Sequence, residues 1–226
     1  MVASDSDINI ERAKALHDRQ PVVCVRAVED FWLFLTAAFA TPWAAFNESG
    51  EMVGYLVVDH AQERFTEIFA ENDEILMNMV RTWLYQQQTE YVKILLAPWQ
   101  EKAARKLGMI ADDFCLKDSE NFRIFHWEKV VGCFLEVKMQ MAPLIPGNLR
   151  IGIEDYGTLD ITVEDGKVTC RKTDLEADVN LDAFTASRVM FGHCPIQYVT
   201  DIASRKKMLM DTWFPLPLCW MIQNHV

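Results

Sequence analysis

Residues 55–108 read YLVVDHAQERFTEIFAENDEILMNMVRTWLYQQQTEYVKILLAPWQEKAARKLG, and this stretch decides the fold. Its pattern is strand, strand, helix, strand, helix. Leu56-Val57-Val58 closes one strand and residues 65–69 form the next. A helix is expected over residues 73–88. Its apolar residues Ile75, Leu76, Met79, Val80, Trp83 and Leu84 fall in two neighbouring columns, so one wide face is buried while Asn78, Arg81 and Gln86 meet water. Residues 91–97 form an apolar run broken only by Lys93 and bounded by Pro98, as expected of a strand covered on both faces. Residues 99–107 read as a second helix, with Gly108 at the position of a left-handed cap. Strand, crossover helix and parallel strand make one βαβ unit, and ligands of such units meet the helix N-terminus. The functional question is therefore what the start of the helix at residue 73 can hold.

Upstream, residues 10–19 are expected to be a helix stopped by Pro21, and residues 28–39 a second helix. Phe31, Trp32, Phe34 and Phe39 in the latter call for packing on more than one side. Residues 42–46 and 52–58 read as strands joined by Asn47-Glu48-Ser49-Gly50-Glu51, a hairpin signal in which Gly50 can take positive φ. Downstream, residues 112–117 and 121–127 are expected to form a hairpin, and residues 130–139 an apolar strand. Strands at 149–154, 157–163 and 167–172 follow, joined by tight turns, with a short one at 177–181. A helix from Asp182 to Phe191 is capped by Gly192, and a second is expected over 195–204. The apolar tail (Trp213, Phe214, Leu216, Leu218, Trp220, Met221, Ile222) is expected to dock on the body.

With 226 residues, half of them hydrophobic, the chain can hold one large domain or two small ones. The composition shifts after Lys129, which places a boundary there: one α+β domain over 1–129 and another over 130–226. The first residues, Met-Val-Ala-Ser-Asp, read as the start of a fragment, with a natural start as the alternative. No apolar run approaches the length that spans a bilayer, and no basic stretch precedes an apolar one at the start, so a soluble, cytoplasmic protein is expected. The net charge of −11 argues against nucleic acid or an anionic membrane as the main partner; it is read first as acidity for solubility alone, with a cationic partner or substrate as the alternative. Cys24, Cys115, Cys133, Cys170, Cys194 and Cys219 show no metal-binding or redox spacing and are expected as reduced, buried thiols. No metal site is assigned to His193 beside Cys194, or to His225 after Cys219.

The order of elements over residues 21–128 resembles the later part of the GNAT acetyltransferase fold. The whole layout is similar to the C-terminal two thirds of the Eis-like N-acetyltransferases. In that family an active GNAT domain is followed by a degenerate GNAT-like domain and then by a domain like the sterol carrier proteins. The stretches that carry the resemblance are Leu149-Arg150-Ile151-Gly152-Ile153-Glu154-Asp155, Gly166-Lys167-Val168-Thr169-Cys170, Asp178-Val179-Asn180-Leu181 and Val189-Met190-Phe191-Gly192. The resemblance implies a GNAT-like mixed sheet with flanking helices, then a sterol-carrier-like α+β domain. An active GNAT domain holds the acetyl-CoA pyrophosphate on a Gln/Arg-x-x-Gly-x-Gly/Ala loop, whose glycines let backbone N–H groups approach the phosphates. Here that place reads Phe69-Ala70-Glu71-Asn72-Asp73-Glu74, with no glycine and three carboxylates. Two like charges about 4 Å apart cost on the order of 1–4 kcal/mol, so no cofactor site is expected.

Each chemically suggestive residue has a plain structural reading beside its functional one. Asp73 and Glu74 are read as the charged cap of a structural helix, with an acid/base pair as the alternative. Glu67 is read as an outward strand position, with a base at a cleft as the alternative. Tyr55 fits a groove or the core, and Arg26 a surface site or a pair with a carboxylate at the domain junction. Arg205-Lys206-Lys207 is read as a solvated helix end, with contact to an acidic partner surface as the alternative, and Met208-Leu209-Met210 as core filling or the wall of an apolar pocket. In Eis-like enzymes the terminal carboxylate of the last domain helps handle the amine proton; the resemblance carries that role to Val226. Three readings follow: a non-catalytic portion of such an enzyme, partnered by a catalytic GNAT domain or subunit; a module binding an apolar, lipid- or sterol-like molecule; or an assembly piece forming a homo-oligomer. An active acetyl-CoA-dependent enzyme on this chain alone is the remaining alternative.

Overall fold

Strand β3 (Met52–Val58) is buried at all seven positions, so it must lie inside a sheet covered on both faces. The computed structural model describes residues 2–3, 7–117, 122–202, 206–219 and 223. The chain divides into two compact units, residues 1–114 with 220–226, and residues 115–219. The change in composition near Lys129 thus lies inside the second unit, within a helix.

In the first unit β3 is flanked by β2 (Thr41–Phe46) and β4 (Arg64–Ala70) in a five-stranded sheet of order β1-β2-β3-β4-β5. β1 is Val2–Ala3 and β5 is Lys93–Ile94. All neighbours are antiparallel except β4 and β5, which are parallel. Helix α3 (Asp73–Gln87) is the crossover, so the βαβ unit read from the sequence is present. β5, however, is only two residues long. Alternation splits β3 between two layers. Leu56 and Val58 join Phe65, Ile68, Leu76, Met79, Val80 and Trp83 beneath α3 and helix α4 (Glu101–Gly108). Tyr55 and Val57 join Ala13, Leu16, Phe31, Leu35 and Phe69 beneath α1 (Ile10–His17) and α2 (Phe31–Leu35). Gly54 marks where α3 crosses the sheet: a Cβ there would lie 2.5 Å from the Met79 sulfur and 3.0 Å from the Phe69 carbonyl oxygen.

In the second unit β6 (Gly147–Ile153), β7 (Gly157–Glu164), β8 (Lys167–Thr173) and β9 (Val179–Leu181) form a sheet of order β8-β7-β6-β9. β6 and β9 are parallel, and the other pairs antiparallel. Helices α5 (Trp127–Met141), α6 (Ala183–Phe191) and α7 (Lys207–Trp213) supply Trp127, Val131, Leu135, Val189, Met190, Met210 and Trp213 to one core with Leu149, Ile151, Leu159 and Ile161. Both units are thus α+β, with mixed sheets and flanking helices.

Several local expectations change. Residues 130–139 form part of α5, not a strand. Trp127, Val131 and Leu135 recur every four residues as its buried line, and Gly132 lets the helix approach β8, its missing Cβ being 3.3 Å from that of Cys170. No strand occurs among residues 111–117 or 122–126; the expected turn at 118–120 lies outside the described residues. The aromatic helix shrinks to five residues plus a 3-10 turn at Ala37–Phe39: Phe31 is buried, Trp32 is 40% exposed and Phe39 85% exposed. Residues 195–204 reduce to a 3-10 turn at Ile196–Tyr198 among the described residues. Gly108 closes α4 without a left-handed conformation, which Gln88 adopts instead at the end of α3. Gly50 does take positive φ, at 79°. Trp213, Phe214 and Leu216 are buried, while Trp220, Met221 and Ile222 lie outside the described residues. No helix among the described residues is long and apolar enough to cross a membrane.

The close crossing of α3 over β3 gives a direct test. Gly54→Val overpacks against Met79 and the β4 backbone, and is expected to lower the unfolding free energy in urea by about 1–3 kcal/mol.

Candidate functional site

The junction between β4 and α3 is where a ligand of this unit would sit. Asn72 is the N-cap: its backbone is extended (φ −155°, ψ 170°) and its Oδ1 accepts from the Ile75 N–H at 3.0 Å. Asp73 and Glu74 occupy the first turn, where the helix dipole favours negative charge. Asp73 lies 3.7 Å from Lys106 of α4. Glu71 is paired with the guanidinium of Arg12, whose Nε also donates to the Met52 carbonyl at 2.9 Å. The Glu71 N–H donates to the Val53 carbonyl. The helix start is thus tied to α1, α3, α4 and β3 by the protein's own groups. A phosphate arriving here would find no glycine and three carboxylates, of which Glu71 and Asp73 already face Arg12 and Lys106. An open groove of about 500 Å³ lies alongside, with Arg12, Glu51 and Glu71 in its wall.

The carboxyl ends of parallel strands are the other place where α/β units receive ligands. β4 and β5 pair only at Arg64–Lys93 and Phe65–Ile94, with backbone bonds from the Lys93 N–H to the Glu63 carbonyl and from the Leu95 N–H to the Phe65 carbonyl. Beyond that the Gln100 side chain fills in. Its Nε2 donates to the Ile68 carbonyl at 3.0 Å, and its Oε1 accepts from the Ala97 N–H at 2.8 Å. One amide therefore satisfies both strands at the place where they cease to pair. No pattern in the sequence signals this role, because a single glutamine at a helix start carries no periodicity.

On the opposite face of the sheet lies a buried polar cluster. Glu67 is fully buried, and its carboxylate accepts from Arg26 Nη1 at 3.1 Å, from Arg26 Nη2 at 2.7 Å and from the Tyr55 hydroxyl at 2.6 Å. The Arg26 guanidinium lies over the rings of Phe31 (5.5 Å) and Phe34 (5.1 Å). Burial works against the Arg26 charge, but the hydrogen bond and charge of Glu67 outweigh it and hold the guanidinium above its usual range. Burial and the neighbouring carboxylate push the Tyr55 phenol well above its usual range. His17 packs edge-on against Phe31 and Phe69, and its Nδ1 lies 2.8 Å from an Asp18 carboxylate oxygen. Burial first, and the Arg26 charge further down, lower its pKa despite Asp18.

This cluster corrects two expectations. Glu67 is not an outward strand position, because both faces of β4 are covered and a bulge opposite Val57 and Val58 shifts the alternation. Arg26 is not at the surface, and its carboxylate partner lies within its own unit. Tyr55 belongs to the core. Elsewhere, Lys206 donates to the Asn148 carbonyl and Lys207 pairs with Asp211, while Arg205 lies outside the described residues. Met210 is buried and Met208 is 62% exposed. Cys115 and Cys133 are exposed, contrary to the expectation of buried thiols, whereas burial pushes Cys170 up to about 12 and Cys219 to about 11. Val226, assigned a carboxylate role by resemblance, and His225 lie outside the described residues. Gln223 is described: it is buried and donates to the carbonyls of Phe34 and Leu35.

Comparison with known proteins places the fold. A GCN5-related N-acetyltransferase from Kribbella flavida is similar with a TM-score of 0.58 and 14% identity, covering 98% of this chain and 60% of that one. Another, from Anabaena variabilis, is similar with a TM-score of 0.53 and 10% identity, covering 98% and 61% respectively. The chain thus has a GNAT-like fold and spans about three fifths of the length of these structures. No family model and no curated protein matches it.

Two outcomes are expected from the cluster. Glu67→Ala leaves Arg26 buried without its carboxylate and should cost about 3–5 kcal/mol in chemical unfolding. The folded-state pKa of His17 lies below its unfolded value near 6.5, so the unfolded chain binds more protons as pH falls towards and below that value. Its stabilisation is therefore complete at higher pH and declines below about pH 6.5. Unfolding curves from pH 7.5 to 5 should show this decline in the wild-type chain and a shallower one in His17→Phe.

Proposed function

We propose that this chain is the non-catalytic portion of an Eis-like N-acetyltransferase, or a stand-alone relative of it. In this reading residues 1–129 are the degenerate GNAT-like domain and residues 130–226 the sterol-carrier-protein-like domain. Together they scaffold or complete a substrate site without binding acetyl-CoA. A catalytic GNAT domain or subunit is the partner, and the Val226 carboxylate is the group offered to the amine where that residue is the natural end of the chain.

The observation that carries this reading is the closed start of α3. A pyrophosphate needs free backbone N–H groups and positive potential at the helix N-terminus. Here Asn72 caps the helix, Glu71 is held by Arg12, and Asp73 and Glu74 add further negative charge. Burial of Glu67 against Arg26 also removes the strand carboxylate best placed to act as a base. The likeness to the GCN5-related N-acetyltransferases runs over 98% of the chain, so it supports a relationship that includes the second unit.

Titration of acetyl-CoA into the purified chain, by calorimetry and by melting temperature, tests the proposal. A ligand at about 100 times its Kd would stabilise the protein by about 2.7 kcal/mol. The expected result is neither heat nor a melting shift at millimolar acetyl-CoA. Saturable binding would overturn the reading.

A further inference from the structure

Arg26 enters the core in an unusual way. Residues 23–27 belong to no helix or strand, and Arg26 is the one buried residue between Asp18 and Asp30. Its neighbour Val25 is 93% exposed, and residues 27–30 are all exposed. A surface strap thus inserts a single side chain into a buried polar and aromatic cage. The cage has a carboxylate that takes two N–H bonds, one at each oxygen, two aromatic rings within 5.1–5.5 Å of the guanidinium carbon, and a Tyr55 hydroxyl that donates to the same carboxylate oxygen as Arg26 Nη1. These are the elements by which proteins recognise a guanidinium or alkylammonium ion. Stability alone does not account for them, since an apolar replacement of a buried ion pair is often as stable.

We propose that the cage of Glu67, Tyr55, Phe31 and Phe34 is a binding site for a guanidinium- or amine-bearing ligand, and that Arg26 on the strap at residues 23–27 is its internal competitor. When a cationic ligand enters, Arg26 leaves and the strap lifts from the surface of the unit. The inference concerns the opposite face of the sheet from the start of α3, so it stands whether or not the chain binds acetyl-CoA. It also gives the acidic chain a definite ligand class.

Cys24 reports on the strap. It is half-buried within the strap itself, whereas Cys133, in α5 of the other unit, is exposed and serves as an internal control. The experiment is thiol alkylation of the wild-type chain, read by peptide mass spectrometry, with increasing ethylguanidine, which reproduces the Arg26 side chain beyond Cβ. Ethylurea, its uncharged counterpart, is the comparison. The expected result is a saturable rise in Cys24 alkylation of about tenfold or more with ethylguanidine, none with ethylurea and none at Cys133. Arg26→Ala, which lacks the competitor, should bind ethylguanidine at least about tenfold more tightly than wild type, and adding Glu67→Gln should abolish that binding. If Arg26→Ala does not fold, the wild-type labelling decides alone. A Cys24 rate indifferent to ethylguanidine, or raised equally by ethylurea or together with Cys133, would overturn the proposal and make Arg26 a fixed structural partner.

Discussion

A carboxylate on a strand covered on both faces has no route to water, and this constraint governs the first unit. β3 and β4 lie between α3 and α4 on one side and α1 and α2 on the other, so Glu67 must find its counter-charge within the protein. It takes the guanidinium of Arg26 with near-ideal two-point geometry and a third bond from Tyr55. An isolated buried ion costs several kcal/mol, so the strap at residues 23–27 and the Phe31 and Phe34 rings are bound to that one requirement. The layer formed by α1 and α2 is organised around a charge pair as much as around its apolar core.

The other face obeys a different logic. There α3 crosses β3 closely at Gly54 and the packing is apolar, with Trp83 edge-on to Phe65 at 4.9 Å. The hydrogen-bonded polar side chains described above lie at the rim, where β4 gives way to α3 and where β4 and β5 stop pairing. Both places are filled by the protein itself: Asn72, Arg12 and Lys106 at the helix start, Gln100 between the strands. At both points the protein's own side chains, brought together from distant parts of the chain, occupy the polar groups of the backbone or pair the carboxylates.

Much of this architecture was legible in the sequence. The strand–helix–strand reading of residues 55–97 rested on strong periodicity, and the hairpin at Gly50 and the strands of the second unit on turn chemistry. The helix over residues 130–139 is not legible there, because a continuous apolar run does not distinguish a buried strand from a helix; the four-residue spacing of Trp127, Val131 and Leu135 begins before the run. The acidic, glycine-free junction at residues 69–74 was readable because phosphate sites demand a particular backbone. The Arg26–Glu67 pair was not, since the partners lie 41 residues apart and no local pattern links an irregular strap to the middle of a strand. Gln100 was hidden for the same reason.

The central claim is that the N-terminus of α3 is closed to phosphate, and site-resolved NMR tests it most directly. The amides of Glu71, Asn72, Asp73, Glu74 and Ile75 would be followed while coenzyme A, and separately inorganic pyrophosphate, is added to the intact chain. The account predicts that these five amides keep their positions at millimolar ligand. A saturable shift confined to them would contradict it and would make the start of α3 a phosphate site after all.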